Sequence, residues 1–181
     1  MIEDELKGLF LRARDHREKH RCGGYPYESA EILKLFITST SAKKILELGT
    51  GTGYTAAYMA TISSDIYIDT IDQDELHGRI AQASWEKLGT DQQITQYLGK
   101  AESVLPSLSD TYDLIFFDGY SPSMKFLTHF ERILKKNGIL ITANMFLKDE
   151  LGGKYMRALQ KKNRYQMGAI EDTTIAIKLF D

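Results

Sequence analysis

Short apolar runs that end at glycine or aspartate, separated by stretches of helical spacing, constrain this chain more than any other feature. Lys44-Ile45-Leu46-Glu47-Leu48 is such a run, and it stops at Gly49. Ile66-Tyr67-Ile68-Asp69-Thr70-Ile71 ends at Asp72, residues 93–98 end at Gly99, and Tyr112-Asp113-Leu114-Ile115-Phe116-Phe117 ends at Asp118-Gly119. A fifth run, Ile139-Leu140-Ile141-Thr142, follows Asn137-Gly138. Apolar runs of this length bounded by turn residues read as buried strands. Between them, residues 53–63, 74–89, 100–108, 122–136 and 147–162 carry helical spacing. This alternation predicts an α/β fold: a doubly wound, Rossmann-like, mostly parallel sheet of seven strands with helices on both faces. The tail, 164–180, alternates in period two and predicts a C-terminal antiparallel hairpin that turns near Glu171-Asp172. Helices over 3–20 and 28–39, interrupted by Tyr25-Pro26-Tyr27, form a lead-in over residues 1–40, and 1–181 is expected to be one domain.

Composition removes several functional classes. No apolar run approaches the roughly 20 residues that cross a bilayer. The start, Met1-Ile2-Glu3-Asp4-Glu5, lacks the basic and apolar regions of a secretory signal. The single cysteine, Cys22, cannot form an internal disulfide, so a reducing, cytoplasmic location is expected. A net charge of −2 offers no global attraction to nucleic acid or to an anionic membrane. His16, His20, His77 and His129 are scattered, and none pairs with Cys22 at zinc spacing; His77 and His129 read as solvated helix residues. No G-x-S-x-G elbow is present for a serine hydrolase, and Gly99-Lys100 and Gly153-Lys154 lack the upstream glycine of a P-loop.

The sharpest motif is Glu47-Leu48-Gly49-Thr50-Gly51-Thr52-Gly53-Tyr54-Thr55, between a strand and a helix. Glycines there let the backbone turn sharply and approach a ligand closely. A dinucleotide fingerprint, G-x-G-x-x-G, would need glycine where Tyr54 stands. A ligand carrying a carboxylate in place of a diphosphate tolerates the tighter loop. In such sheets ligands bind beyond the carboxyl ends of the strands, where Gly49, Asp72, Gly99, Asp118 and Asn144 fall.

Glu-x-Gly-x-x-x-Gly-Tyr-Thr at residues 47–55 resembles the first motif of the class I O-methyltransferases related to catechol and caffeoyl-CoA O-methyltransferases. So do Tyr27-Glu28-Ser29-Ala30-Glu31-Ile32-Leu33, the segment Gly99 to Pro106, Asp113 to Asp118, and Glu171 to Lys178, in that order. The resemblance implies an S-adenosylmethionine-dependent methyltransferase that releases S-adenosylhomocysteine. It implies that Gly49, Thr50, Gly51 and Gly53 bring backbone to the methionine part, with Tyr54 following them, and that Thr55 holds its carboxylate. Glu47 would accept from the loop or from the amino group. Asp72 would hold the ribose hydroxyls, with Asp74 as a rival that is also a good helix cap. Gln73, Lys100, Ala101, Gly119 and Tyr120 would flank the adenine.

Metal-dependent relatives hold a divalent cation with an Asp after the fourth strand and an Asp-Asn pair after the fifth. Here Asp118 and Asn144 match, but Ala143 replaces the middle ligand and Ser121 stands where relatives carry a lysine. No metal is therefore expected. Asp118 and Asn144 are the catalytic candidates, with His20, Tyr25 and Tyr27 as further candidate bases. The acceptor is expected to be a small-molecule hydroxyl. The basic stretch Lys7, Arg12, Arg14, Arg17, Lys19 and Arg21 keeps RNA open as a less favoured substrate. A non-catalytic cofactor-binding protein, a tRNA hydroxyl methyltransferase and, further off, an NAD-dependent oxidoreductase remain alternatives. The resemblance also implies a homodimer.

Overall fold

The computed structural model describes residues 2–119, 122–145, 150–161 and 163–181. Two helices, α1 (Ile2–His20) and α2 (Ala30–Thr40), precede the sheet. Then follow β1 (Lys44–Leu48), α3 (Tyr54–Ala60), β2 (Tyr67–Asp72), α4 (Glu75–Leu88), β3 (Ile94–Leu98), α5 (Ala101–Val104) and β4 (Tyr112–Phe117). The chain continues with α6 (Met124–Ile133), β5 (Leu134–Thr142), α7 (Glu150–Leu159), β6 (Tyr165–Ile170) and β7 (Thr173–Lys178). The described strands form one seven-stranded sheet in the order β3-β2-β1-β4-β5-β7-β6. β1 to β5 pair in parallel, and β7 pairs antiparallel with both β5 and β6. The doubly wound expectation and the terminal hairpin both hold. Strand order reverses between β1 and β4, which is where such sheets open a crevice at their carboxyl ends.

Period-two alternation sorts the strand side chains onto two faces. Ile45, Ile68, Leu114, Phe116 and Ile141 pack with Leu9, Leu33, Met59 and Trp85 from α1 to α4. Leu46, Ile71, Ile115, Phe117 and Leu140 pack with Phe130, Tyr155 and Leu159 on the other side. The same alternation places Glu47 on the first face, where it is fully buried.

Two local features carry function. The Asp74 carboxylate caps α4 by accepting from the backbone N–H of Leu76 at 2.8 Å and of His77 at 3.1 Å. A cap of this kind contributes about 1 kcal/mol and aims the first turn of the helix. Asn137-Gly138 does not end α6, contrary to the expectation of a helix to residue 136. The helix stops at Ile133 and β5 begins at once, with Leu134 opposite Tyr112. The pairing register shifts between Tyr112 and Leu114, and Asn137 takes φ +62°. The asparagine and glycine thus serve an irregularity inside the strand, which a turn signal alone does not distinguish from a helix stop.

Candidate active site

Backbone hydrogen bonds align the strand tips. Gly49 N donates to Ile71 O at 2.9 Å, Asp118 N to Leu48 O at 2.9 Å, Gly99 N to Asp72 O at 2.8 Å and Ala143 N to Phe117 O at 3.0 Å. The predicted residues at the ends of β1 to β5 therefore stand in one row. Gly49 has φ +103°, and a Cβ there would collide with the Asp118 carbonyl oxygen. No side chain fits that position, so the β1 loop lies directly against the β4 tip. The Gly51 N–H donates to Asp72 Oδ2 at 2.8 Å, and Asp72 Oδ1 accepts from Asp74 N at 2.9 Å. Gly53 makes a different contact. The Trp85 indole N–H donates to its carbonyl at 2.9 Å, and a Cβ would lie 2.9 Å from Ala81 Cα. Gly53 thus supplies close helix packing one residue before the place a dinucleotide fingerprint would require.

Glu47 reaches inward from the loop base. Its Oε2 accepts from Thr70 Oγ1 at 2.6 Å, and Thr70 also shares a 2.7 Å hydrogen bond with Thr50. Glu47 Oε1 is buried without a hydrogen-bond partner. Burial, with the Asp118 and Asp72 charges adding to it, pushes the Glu47 carboxyl up to about 8 despite the Thr70 hydrogen bond. At Asp72 burial acts upward too, but the neighbouring His77 and the N–H groups of Asp74 and Gly51 outweigh it and hold the carboxyl below its ordinary value. Asp118 accepts from Asn144 Nδ2 at 2.7 Å, and Asn144 takes φ +59°. Burial carries the Asp118 carboxyl up to about 7, against the stabilising amide.

The lead-in covers this row. Gly24, Tyr25 and Pro26 line a narrow cleft with Gly49, Gly51 and Thr52. Thr55 lines the same cleft from the start of α3. The Tyr54 ring stacks edge-on against Phe10 at 5.1 Å and so ties α3 to α1. The Thr50 hydroxyl is turned into the protein, so only its backbone faces the cleft. Gln73 and Lys100 are exposed beside the tips of β2 and β3, and Ala101 and Gly119 are half-buried. Tyr120 and Ser121 lie outside the described residues.

Two sequence expectations need correction. Tyr27 drops out of the candidate bases: burial pushes its phenol up to about 12, and its hydroxyl is engaged with Thr173 Oγ1 at 2.8 Å. Asp74 caps α4 as its place in the sequence suggests, which leaves Asp72 as the acid at the strand tip. His77 is not solvated; it is only 5% exposed and packs under the lead-in. Its position could have been read from the face of α4 it shares with Gly78, Ala81 and Trp85, all buried.

A family model described as O-methyltransferase matches residues 11–167. The chain belongs to the O-methyltransferase family. A catechol O-methyltransferase of Niastella koreensis is 31% identical over 124 residues, which cover 66% of this chain and 56% of that protein. The chain spans about half the length of the curated relatives it matches first. Two solved members share the fold at lower identity. The O-methyltransferase TomG from Streptomyces achromogenes, in complex with SAM, has a TM-score of 0.84 at 18% identity, with 95% of this chain and 90% of that chain covered. An O-methyltransferase from Bacillus cereus in complex with SAH has a TM-score of 0.81 at 16% identity, with 97% and 91% covered. Among the described residues no helix is long and apolar enough to cross a membrane.

Proposed function

We propose that this chain transfers a methyl group from S-adenosylmethionine to the hydroxyl of a small molecule and releases S-adenosylhomocysteine, without a divalent metal. The observation that carries this is the charge of the cradle. Glu47, Asp72 and Asp118 stand at the tips of β1, β2 and β4 around a glycine loop, and burial, with the other two charges adding to it, raises the Glu47 carboxyl. The ionised Asp72, with two further carboxyls that a nearby cation draws into ionisation, disfavours a diphosphate and favours a ligand bearing a sulfonium and an ammonium. The buried, unpartnered Glu47 Oε1 and the close approach that Gly49 alone permits fit such a ligand.

In this reading Asp72 binds the ribose hydroxyls. A carboxylate offers about four lone-pair positions, and two accept the N–H groups of Gly51 and Asp74, so acceptor capacity remains. Gly49, Gly51 and Gly53 present backbone and Thr55 meets the carboxylate end. Gln73, Lys100, Ala101 and Gly119 border the adenine, with Tyr120 assigned there by resemblance alone. When bound, the sulfonium supplies an electrophilic methyl group. Asp118, held by Asn144 and titrating near neutrality, is placed to receive the acceptor's hydroxyl proton. The lead-in over the cleft excludes water from the approach.

The donor set does not suit a hard cation. Asp118 and Asn144 are hydrogen-bonded to each other, and the buried Ala143 between them offers no side-chain oxygen. A homodimer in the cytoplasm completes the proposal. Calorimetry with S-adenosylhomocysteine and with NAD, followed by turnover on a panel of hydroxyl compounds with and without chelator, tests it. Tight binding of the first, no binding of NAD and chelator-insensitive turnover are expected; NAD binding alone, or turnover that needs added Mg²⁺, overturns it.

A further inference from the structure

Outside the cleft just described, three donors from separate segments meet. His16 lies in the last part of α1, Cys22 in the turn that follows, and His77 in the first turn of α4. Their ligand atoms all lie within 4.8 Å of one another. The His16 and His77 rings meet edge-on with centroids 5.2 Å apart. The turn is pressed onto His77 so closely that a Cβ on Gly24 would lie 3.0 Å from its Cε1.

His77 is the informative member. It is 5% exposed, yet its Nε2 has no hydrogen-bond partner. A buried polar atom left unpaired is costly, so such atoms call for a ligand. The other nitrogen, Nδ1, faces Asp72 Oδ2 at 3.9 Å, and Asp74 Oδ2 stands 4.0 Å from Nε2. A carboxylate behind one nitrogen of a histidine is how proteins orient an imidazole that binds metal through the other.

We propose that His16, Cys22 and His77 bind a thiolate-preferring divalent transition metal ion, with zinc the natural occupant. Two imidazoles and a thiolate are borderline and soft donors, which select zinc or cobalt over magnesium and calcium. A tetrahedral zinc site places neighbouring donor atoms roughly 3.3–3.8 Å apart, given Zn–N near 2.0 Å and Zn–S near 2.3 Å. Small side-chain rotations bring the three donors to that separation. Water fills the fourth position. Binding releases the Cys22 thiol proton and any proton carried by the His16 and His77 imidazoles, and the ion with one thiolate keeps a net charge of +1 beside Asp72 and Asp74. The coordinate bonds fasten the lead-in to α4.

The test uses the full chain without a histidine tag, under a non-thiol reductant. Titration with Co²⁺ should saturate at one equivalent, produce a thiolate-to-cobalt charge-transfer band in the near ultraviolet, and be reversed by Zn²⁺ but not by Mg²⁺. Cys22→Ser should abolish the band. His16→Asn, a change at a half-buried position, should weaken Co²⁺ binding by at least about tenfold. One equivalent of Zn²⁺ should raise the unfolding temperature of the parent chain and leave that of Cys22→Ser unmoved. Absence of the band at one equivalent, or a band that survives both His16→Asn and His77→Asn unchanged, overturns the proposal. S-adenosylhomocysteine calorimetry on the zinc-free chain is independent of all these readouts, so failure of the cofactor assignment would be seen separately.

Discussion

The tips of β1 and β2 and the tips of β4 and β5 stand in one row, but they are held in different ways. At β1 and β2 the backbone is the structure: Gly49 has no space for a Cβ, and the Gly51 N–H is hydrogen-bonded to the Asp72 carboxylate. Among the described residues, the polar side chains at the tips of β4 and β5 are held by the hydrogen bond between Asn144 and Asp118, next to an alanine. A site built on backbone geometry admits almost no substitution, because a change there moves the chain itself. A site built on side chains can change its chemistry while the fold stays. Ala143, standing where the resemblance implies a carboxylate in metal-dependent relatives, is a difference of the second kind. It leaves the β1 and β2 side intact.

The largest expected effect is at Gly49. Gly49→Ala combines a left-handed backbone with a collision against the Asp118 carbonyl and should lower unfolding free energy by about 3 kcal/mol. It should also remove S-adenosylhomocysteine binding in calorimetry. Retained binding within tenfold of the parent would break the comparison. Next is Asp72→Asn, which deletes charge-assisted hydrogen bonds worth about 1.5–3 kcal/mol and should weaken the same ligand by about 10- to 100-fold. Unchanged affinity would remove Asp72 from the ribose role.

A third expectation concerns pH. Glu47 and Asp118 are carboxyls whose folded pKa values, about 8 and about 7, lie above their ordinary ones. Between the unfolded and folded values the native state binds more protons, so stability falls as pH rises from about 4.5 to 8. His77, raised to about 9, adds the same sign from its ordinary value of 6.5 upward. Denaturant midpoints measured across this range should fall with pH, and Glu47→Gln with Asp118→Asn should flatten the part below pH 6.5. A midpoint that climbs with pH over that range would contradict the burial of both groups. Binding of a cationic ligand should favour the ionised carboxyls and release protons near neutrality, which calorimetry in buffers of different ionisation enthalpy would detect.

The smallest effect sharpens the first. Gly89 caps the C-terminus of α4 at φ +69° with nothing within 4 Å of an added Cβ. Gly89→Ala should cost only about 1 kcal/mol, the strain of a left-handed alanine without a collision. Equal costs at Gly49 and Gly89 would mean that close approach contributes nothing at the β1 loop.

Much of this was readable in the chain itself. The strand runs, the glycine loop, the N-cap at Asp74 and the hairpin at Glu171-Asp172 are local patterns, set by side-chain period and by the φ values that turns demand. The acid at each strand tip followed from the same logic, since a parallel strand must end where its apolar run ends. The readings that failed were those needing a partner distant in sequence. Tyr27 is buried by the fold, with its hydroxyl hydrogen-bonded to Thr173, 146 residues away. Asn137-Gly138 bends β5 because Leu134 pairs with Tyr112 on β4.

Periodicity and turn chemistry in the sequence therefore determined the elements, their alternation and the row of residues at their ends. Tertiary structure alone decided that Cys22 and His16 lie against His77, and that Glu47 keeps an unpaired oxygen among other acids. The physical reason is that burial and electrostatic neighbours are properties of packed surfaces. The local rules that shape a helix or strand say nothing about which other segment will cover it.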